Sequence, residues 1–311
     1  MNAELKLNIV TAMESYMAKH KISQNEFAAK SRVNVAYISA MFKHKFETNA
    51  GKGKMVTIAP KWFIKIAEFI GYNIEKTYWN TVVTDQFAHI ISILEDAKNF
   101  GYINTIIGET GCGKSFSSTQ FAKKHPTDLF IVTVGSSDNL GDLLDKLLDK
   151  LGLPTAKTKS AKIRDITKHL RDLRQQGRKP MIIFDESEFM KLPTLCMMKE
   201  LYDHLYTHCA IVMMGTNQLL NNLDKLRRRN KPGIPQLFRR IKFGIRVLPP
   251  IDRSFKQFLK DLDTSLKKFL IEHCDNYGEL HDVLVPVMRE AERTGEPLTA
   301  TFARKVLGMV A

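Results

Sequence analysis

Five short apolar runs, often β-branched, recur through the middle of the chain: Ile103–Ile107, Leu129–Val134, Met181–Phe184, Ala210–Met214 and Ile245–Leu248. Their length and near-continuous apolarity predict strands buried on both faces. Between them, apolar residues return every three or four positions near 115–124, 139–152, 160–176 and 193–207, the period of amphipathic helices. Alternating strands and helices imply an α/β core with a parallel sheet covered on both sides. After Pro249-Pro250 the strand signals stop, and residues 253–311 read as three or four helices. At the other end, residues 1–45 read as short helices. Residues 46–60 (FETNAGKGKMVTIAP) have the composition of a loop. Residues 61–79 return to a helical pattern with Trp62, Ile66, Phe69 and Ile70 on one face, and 80–86 form a connector. The pattern divides the chain into an all-α domain over 1–79, the α/β core over 80–250 and a small helical domain over 251–311.

Composition narrows the class. No apolar run reaches membrane-spanning length and no signal-peptide segment opens the chain, so a cytoplasmic protein with no membrane partner is expected. The four cysteines (Cys112, Cys196, Cys209, Cys274) show no metal-ligand spacing, which predicts reduced thiols and no zinc. The net charge of +14 favours a polyanionic partner, with nucleic acid the first candidate.

The chemistry begins where the first strand ends. Gly108-Glu109-Thr110-Gly111-Cys112-Gly113-Lys114-Ser115 fits the spacing G-x-x-x-x-G-K-[ST] and opens a helix through Phe116. Glycines let the backbone wrap an anion closely and turn its N–H groups inward, and the helix N-terminus faces the same charge. Lys114 adds a cation between the β- and γ-phosphates of ATP, and the Ser115 hydroxyl is a ligand for Mg²⁺. Cys112 serves as a small filler. The strand Met181–Phe184 runs into Asp185 and Glu186 at the edge where α/β proteins bind ligands. Asp185 would hold Mg²⁺ through water, and Glu186 would polarise the attacking water. Asn217, in Gly215-Thr216-Asn217 at the end of the next strand, would position that water or touch the γ-phosphate. The segment 225–246 holds nine basic residues (Lys225, Arg227, Arg228, Arg229, Lys231, Arg239, Arg240, Lys242, Arg246) and no acid. Arg239 or Arg240 would reach a neighbouring subunit's ATP as an arginine finger. Arg227, Arg228 and Arg229 would face DNA phosphates.

Two further segments suit nucleic acid. Over 22–42, a helix Gln24–Lys30 with Phe27 and Ala28 inward, a turn Ser31–Asn34 and a helix Val35–Phe42 with Ile38 inward fit a helix-turn-helix. Arg32 stands where that turn usually has glycine, and Asn34 suits the N-cap of the second helix. Asn34, Ala36, Tyr37, Ala40 and Lys43 would then face the groove. The loop 154–162 offers Lys157, Thr158, Lys159, Ser160 and Lys162 to phosphates without reading bases.

A helix-turn-helix module, a phosphate-loop core and a helical lid resemble the target-selecting AAA+ ATPases of DNA transposons, the Mu B-like family. GETGCGKS, IIFDES, MGTN and QLFRRI are similar to that family's phosphate loop, acidic strand, following strand and finger segment. The lysines at 157–162 and the tail GEPLTATFARKVL also match in place. The resemblance implies an ATP- and Mg²⁺-dependent ATPase that assembles with itself as filaments on double-stranded DNA. It implies delivery of that DNA to a DDE transposase, which it stimulates and which triggers its hydrolysis. It also implies a lid residue sensing the γ-phosphate: the family's arginine is replaced here by His281, in Gly278-Glu279-Leu280-His281, with Arg304 a more distant substitute. Two other functions fit the same motifs: a nucleotide-switched helix-turn-helix transcription regulator, and a helicase-loader-like ATPase.

Overall fold

A computed structural model describes residues 3–49, 55–72 and 78–309. The chain divides into two compact units, Met1–Tyr78 and Trp79–Ala311.

The first unit holds α1 (Ala3–His20), α2 (Gln24–Ser31), α3 (Val35–Phe42), an antiparallel hairpin of β1 (Glu47–Asn49) and β2 (Met55–Thr57), and α4 (Pro60–Ile70). Local chemistry sets these boundaries. Ser23 and Glu26 form a reciprocal capping box at the start of α2. Arg32 ends α2 in the left-handed region at φ +54°, a conformation costing a non-glycine residue about 1 kcal/mol. Its carbonyl accepts a bond from the Lys65 ammonium at 3.0 Å. Phe27, Ile38, Met41, Phe63 and Ile66 fill the core. Two expectations are corrected. Residues 46–60 contain the hairpin, its strands too short to leave a period; residues 50–54 lie outside the described residues. The helix expected over 61–79 stops at Ile70, because Gly71 takes up the left-handed cap at φ +68°. Its buried side is Phe63, Ile66 and Ala67, with Trp62, Phe69 and Ile70 only half-buried.

The second unit is built on a five-stranded parallel sheet in the order β4-β5-β6-β3-β7. The strands are β3 (Ile103–Ile107), β4 (Leu129–Thr133), β5 (Met181–Asp185), β6 (Ala210–Gly215) and β7 (Ile245–Val247). β5 and β6 are buried at every residue, as strands covered on both faces must be. Their alternate side chains feed two cores. Ile182, Phe184, Ile211 and Met213 pack among residues of α7 (Leu140–Leu151), α8 (Lys159–Gln175) and α9 (Leu192–Leu205). Ile183, Val212 and Met214 pack among residues of α5 (Asp85–Phe100) and α6 (Lys114–Lys124), and of α13 (Thr264–His273) and α14 (Tyr277–Thr294). The C-terminal helices, which also include α12 (Lys256–Leu259) and α15 (Ala300–Leu307), thus share an apolar cluster with the sheet. The basic segment after β6, for which the sequence suggested no helix, forms α10 (Asn217–Arg228) and α11 (Ile234–Ile241), anchored by Leu219, Leu223, Ile234, Leu237 and Ile241. No helix among the described residues is long and apolar enough to cross a membrane.

Candidate functional site

The carboxyl ends of β3, β5 and β6 meet at one edge of the sheet, and three loops converge there. β3 pairs with β6 as far as Ile107 opposite Gly215, and the Gly108 N–H then donates to the Gly215 carbonyl at 3.1 Å. This fixes the start of the glycine-rich loop beside the end of β6. Gly111 and Gly113 adopt φ +72° and +90°, conformations that side chains resist. The chain then enters α6 at Lys114, whose ammonium donates to the Gly108 and Glu109 carbonyls, each at 2.8 Å. One residue on, the Ser115 hydroxyl donates to Asp185 Oδ2 at 2.5 Å. Two residues 70 apart in sequence are thereby brought together where the phosphate loop meets the acidic strand end. Asp185 is buried, and its other oxygen accepts the Glu186 N–H at 3.0 Å. Glu186 is exposed and held in the left-handed region at φ +56°. Asn217 is exposed at the first turn of α10, one residue after the Thr216 cap. Burial pushes the Cys112 thiol above its usual range, against the pull of the neighbouring Lys114, in keeping with a packing role.

A cleft of about 340 Å³ opens beside the loop. It is lined by Gly111 to Phe116 together with Trp79, Phe258, Tyr277 and His281. Trp79 and Phe258 stack with ring centroids 4.8 Å apart and planes 20° from parallel. His281 meets Trp79 edge-on at 5.2 Å, and its Nδ1 lies 3.0 Å from Asp282. Tyr277 is fixed by donating to Gln86 at 2.9 Å, and Gln86 donates to the Pro249 and Pro250 carbonyls. The lid approaches the loop at two further points. Arg253 pairs with Glu109 at 2.8 Å, and the Asn276 side chain lies directly against Gly111. Trp79, Phe258 and Tyr277 were not among the residues singled out from sequence. They come from three separated segments, and no linear spacing links them.

The structure also separates residues that sequence treated alike. Arg240 is tied to Asp203 at 2.7 Å and lies over the Tyr202 ring, while Arg239 is exposed. Arg227 and Arg228 share Asp224, at 2.6 and 2.8 Å, and Arg227 also covers the Phe238 ring; Arg229 caps α10. In the lysine segment, Lys157 to Ser160 are exposed, but Thr158 spends its hydroxyl capping α8 at the Ala161 N–H. Lys162 is corrected: it is buried in α8 and bonded to both oxygens of Asp145 at 2.6 and 2.7 Å, so it does not reach a phosphate backbone. In the first unit the Asn34 side chain caps α3 at the Ala36 N–H, Tyr37 is half-buried against Trp62, and Lys43 is exposed at the helix end.

Residues 100–223 match the AAA domain family. The chain is 21% identical over 231 residues to the Mu-like prophage FluMu DNA transposition protein B of Haemophilus influenzae, covering 73% of this chain and 74% of that protein. Among solved structures, Cdc6p from Pyrobaculum aerophilum is similar with a TM-score of 0.56 at 14% identity, over 74% of this chain and 69% of that one. The Aeropyrum pernix ORC2 protein, in its ADPNP–ADP complexes, gives 0.51 at 16% identity over 72% and 66%. These last two likenesses are of fold. The glycine-rich loop, the acidic strand end and the parallel sheet accompany the AAA-domain match over 100–223, and the chain is similar to a Mu-like transposition protein B.

Proposed function

We propose that the chain is an ATP- and Mg²⁺-dependent ATPase that assembles on double-stranded DNA and delivers it to a DDE transposase. The observation that carries the reading is the Ser115 hydroxyl held 2.5 Å from Asp185 at the first turn after the glycine-rich loop. A hydroxyl and a carboxylate are hard oxygen donors suited to magnesium, which takes few protein ligands and completes its shell with water and phosphate. No group of three or more His, Cys, Asp or Glu side chains competes for a metal among the described residues. With ATP bound, magnesium would neutralise phosphate charge as it develops.

The protein's own groups supply the rest. Backbone N–H groups of 108–115 cradle the phosphates, and Lys114 exchanges two carbonyls for phosphate oxygens. Glu186, exposed beside Asp185, orients the attacking water with Asn217 nearby. The stacked pair Trp79 and Phe258 lines the side of the cleft that takes the adenine, with His281 beside it on the lid. Arg239 is the finger, because Arg240 is already engaged by Asp203. The DNA-facing set is Lys157, Lys159 and Ser160, with Arg229 and the half-engaged Arg227 and Arg228. In the first unit, α2, the Arg32 turn and α3 act as a helix-turn-helix. There Asn34 is committed to its cap and Tyr37 to Trp62, which leaves α3 little polar reach for base reading. Backbone contacts therefore dominate.

Binding to two unrelated duplexes, with ATP and across a salt series, tests this function. Equal affinities that fall steeply with salt are expected, because phosphates supply the energy. Strong preference for one sequence with a shallow slope would contradict the delivery function and favour an operator-reading regulator.

A further inference from the structure

A second cleft, of about 520 Å³, opens at the amino ends of β4 and β5, at the edge of the sheet opposite the phosphate loop. Lys98, His125, Asp128, Arg178 and Lys179 are among its lining. Strand pairing assembles them. β4 and β5 run in parallel from Leu129 opposite Met181, and the Met181 N–H donates to the Asp128 carbonyl at 2.8 Å. The residues that lead into the two strands therefore lie side by side. Lys98 comes from the last turn of α5, and His125 ends α6.

The charges in this cleft do not balance. Lys98 is only 6% exposed. Its ammonium donates to the Lys179 carbonyl at 2.5 Å but stands 3.6 Å from Asp128, too far for a direct hydrogen bond. Asp128 accepts Arg178 Nε at 2.7 Å instead, and the Arg178 guanidinium also donates to the Thr127 carbonyl. The Lys179 ammonium donates to the neutral Asn99 side chain at 2.9 Å. Lys98, Arg178 and Lys179 thus gather around one engaged carboxylate, and Glu95, the other acid in the lining, is exposed. The imbalance is felt at Lys98, where burial pulls the ammonium below the usual lysine range against the attraction of Asp128. The dipoles of α5 and α6 favour cations at their carboxyl ends, which accounts for the exposed Lys123 and Lys124. A dipole does not call for a buried lysine, a residue almost never buried without a paired charge.

We propose that this cleft binds a small multivalent oxyanion, a phosphate or a dicarboxylate, with Lys98 and Lys179 as its ligands and Arg178 held alongside by Asp128. The anion supplies the acceptors and the countercharge that Asp128 does not, through charge-assisted hydrogen bonds. The site is separate from the nucleotide cleft and needs neither a nucleotide nor DNA.

The test titrates the full chain with inorganic phosphate and, separately, with malonate, at an ionic strength held constant with potassium chloride. The rise of the thermal midpoint with anion concentration reads binding. Mg²⁺ and ADP are present to occupy the phosphate loop, and Lys114→Ala without nucleotide runs in parallel. A specific site gives a response that saturates, whereas general salting effects do not. Wild type and Lys114→Ala should both saturate with at least one anion, and the tighter of the two names the source. Lys179→Ala, at an exposed position, should weaken that binding about tenfold, as loss of one charge-assisted contact requires, and Lys98→Met at least as much. Lys123→Ala removes the same charge from an exposed position outside the lining and should stay within about twofold of wild type. No saturable response to either anion overturns the site. So does a response that Lys179→Ala leaves unchanged, or one that Lys123→Ala weakens equally, which would report general charge. Should Lys98→Met fail to fold, Lys179→Ala against Lys123→Ala decides alone.

Discussion

Replacing Gly111 by alanine should loosen the join between the phosphate loop and α14. Two costs combine. At φ +72° an alanine is held in the left-handed region, which costs about 1–2 kcal/mol. Its Cβ would lie 2.1 Å from Asn276 Oδ1 and 2.3 Å from Asn276 Cγ. That oxygen accepts the Glu279 N–H at 3.0 Å and caps α14, so making room breaks the cap at a further cost of about 1 kcal/mol. The sum is about 2–3 kcal/mol, or on the order of 5–10 °C in Tm for a unit of this size. Asn276→Gly keeps most of the cap's worth, losing a few tenths of a kcal/mol, and removes the clash. In that background Gly111→Ala should cost only the backbone strain, leaving a coupling of about 1 kcal/mol between the two sites. Thermal and urea unfolding of the four proteins measures each term. A Gly111→Ala protein within about 0.5 kcal/mol of wild type, or strictly additive costs, would refute the contact between loop and lid.

Three further outcomes follow from side chains that the structure separates. Arg239→Ala should leave stability unchanged and suppress ATP turnover in the assembled protein, whereas Arg240→Ala should lower stability by about 1–2 kcal/mol through the loss of its Asp203 and Tyr202 contacts; turnover and urea unfolding read the pair. Reversing Lys157 and Lys159 to Glu should weaken duplex binding on all sequences and flatten its salt slope, while Lys162→Ala should instead destabilise α7 against α8 by about 1–2 kcal/mol because it leaves Asp145 unpaired. Asp128 provides a pH test: burial favours its neutral form, but bonding to Arg178 and the charge of Lys98 outweigh this and hold the carboxyl below its usual range. Its contribution is therefore present above about pH 4 and lost as pH falls through the depressed value, so Asp128→Asn should be less stable than wild type at neutral pH and show a shallower loss in acid, followed by urea midpoints across pH.

What the sequence revealed and what it hid have separate physical origins. The strands were legible because burial on both faces demands continuous apolar runs, and the phosphate loop because its glycines, Lys114 and Ser115 are contiguous. Helices α10 and α11 were obscured by the charges on their solvent sides, although Leu219, Leu223, Leu237 and Ile241 keep a helical period beneath them. Lys162 was read with its neighbouring lysines. The apolar period Ile163, Ile166 and Leu170 places it on the buried side of α8, where Asp145 on another helix satisfies it. Arg239 and Arg240 are adjacent in sequence, and the residue that distinguishes them, Asp203, is 37 positions away. The aromatic wall of the cleft depends wholly on tertiary packing, since Trp79 lies before the sheet and Phe258 after it.

On the proposed function, the loop 108–115 and Asp185 hold a magnesium nucleotide. Equilibrium binding of labelled ATP to wild type and Lys114→Ala, with magnesium and with chelator, tests it most directly. Saturable binding by wild type with magnesium is expected, weakening when the metal is removed, with a loss of about 2 kcal/mol or more in the variant as one charge-assisted phosphate contact disappears. Absence of saturable binding by wild type, or equal affinity in the two proteins, would contradict it.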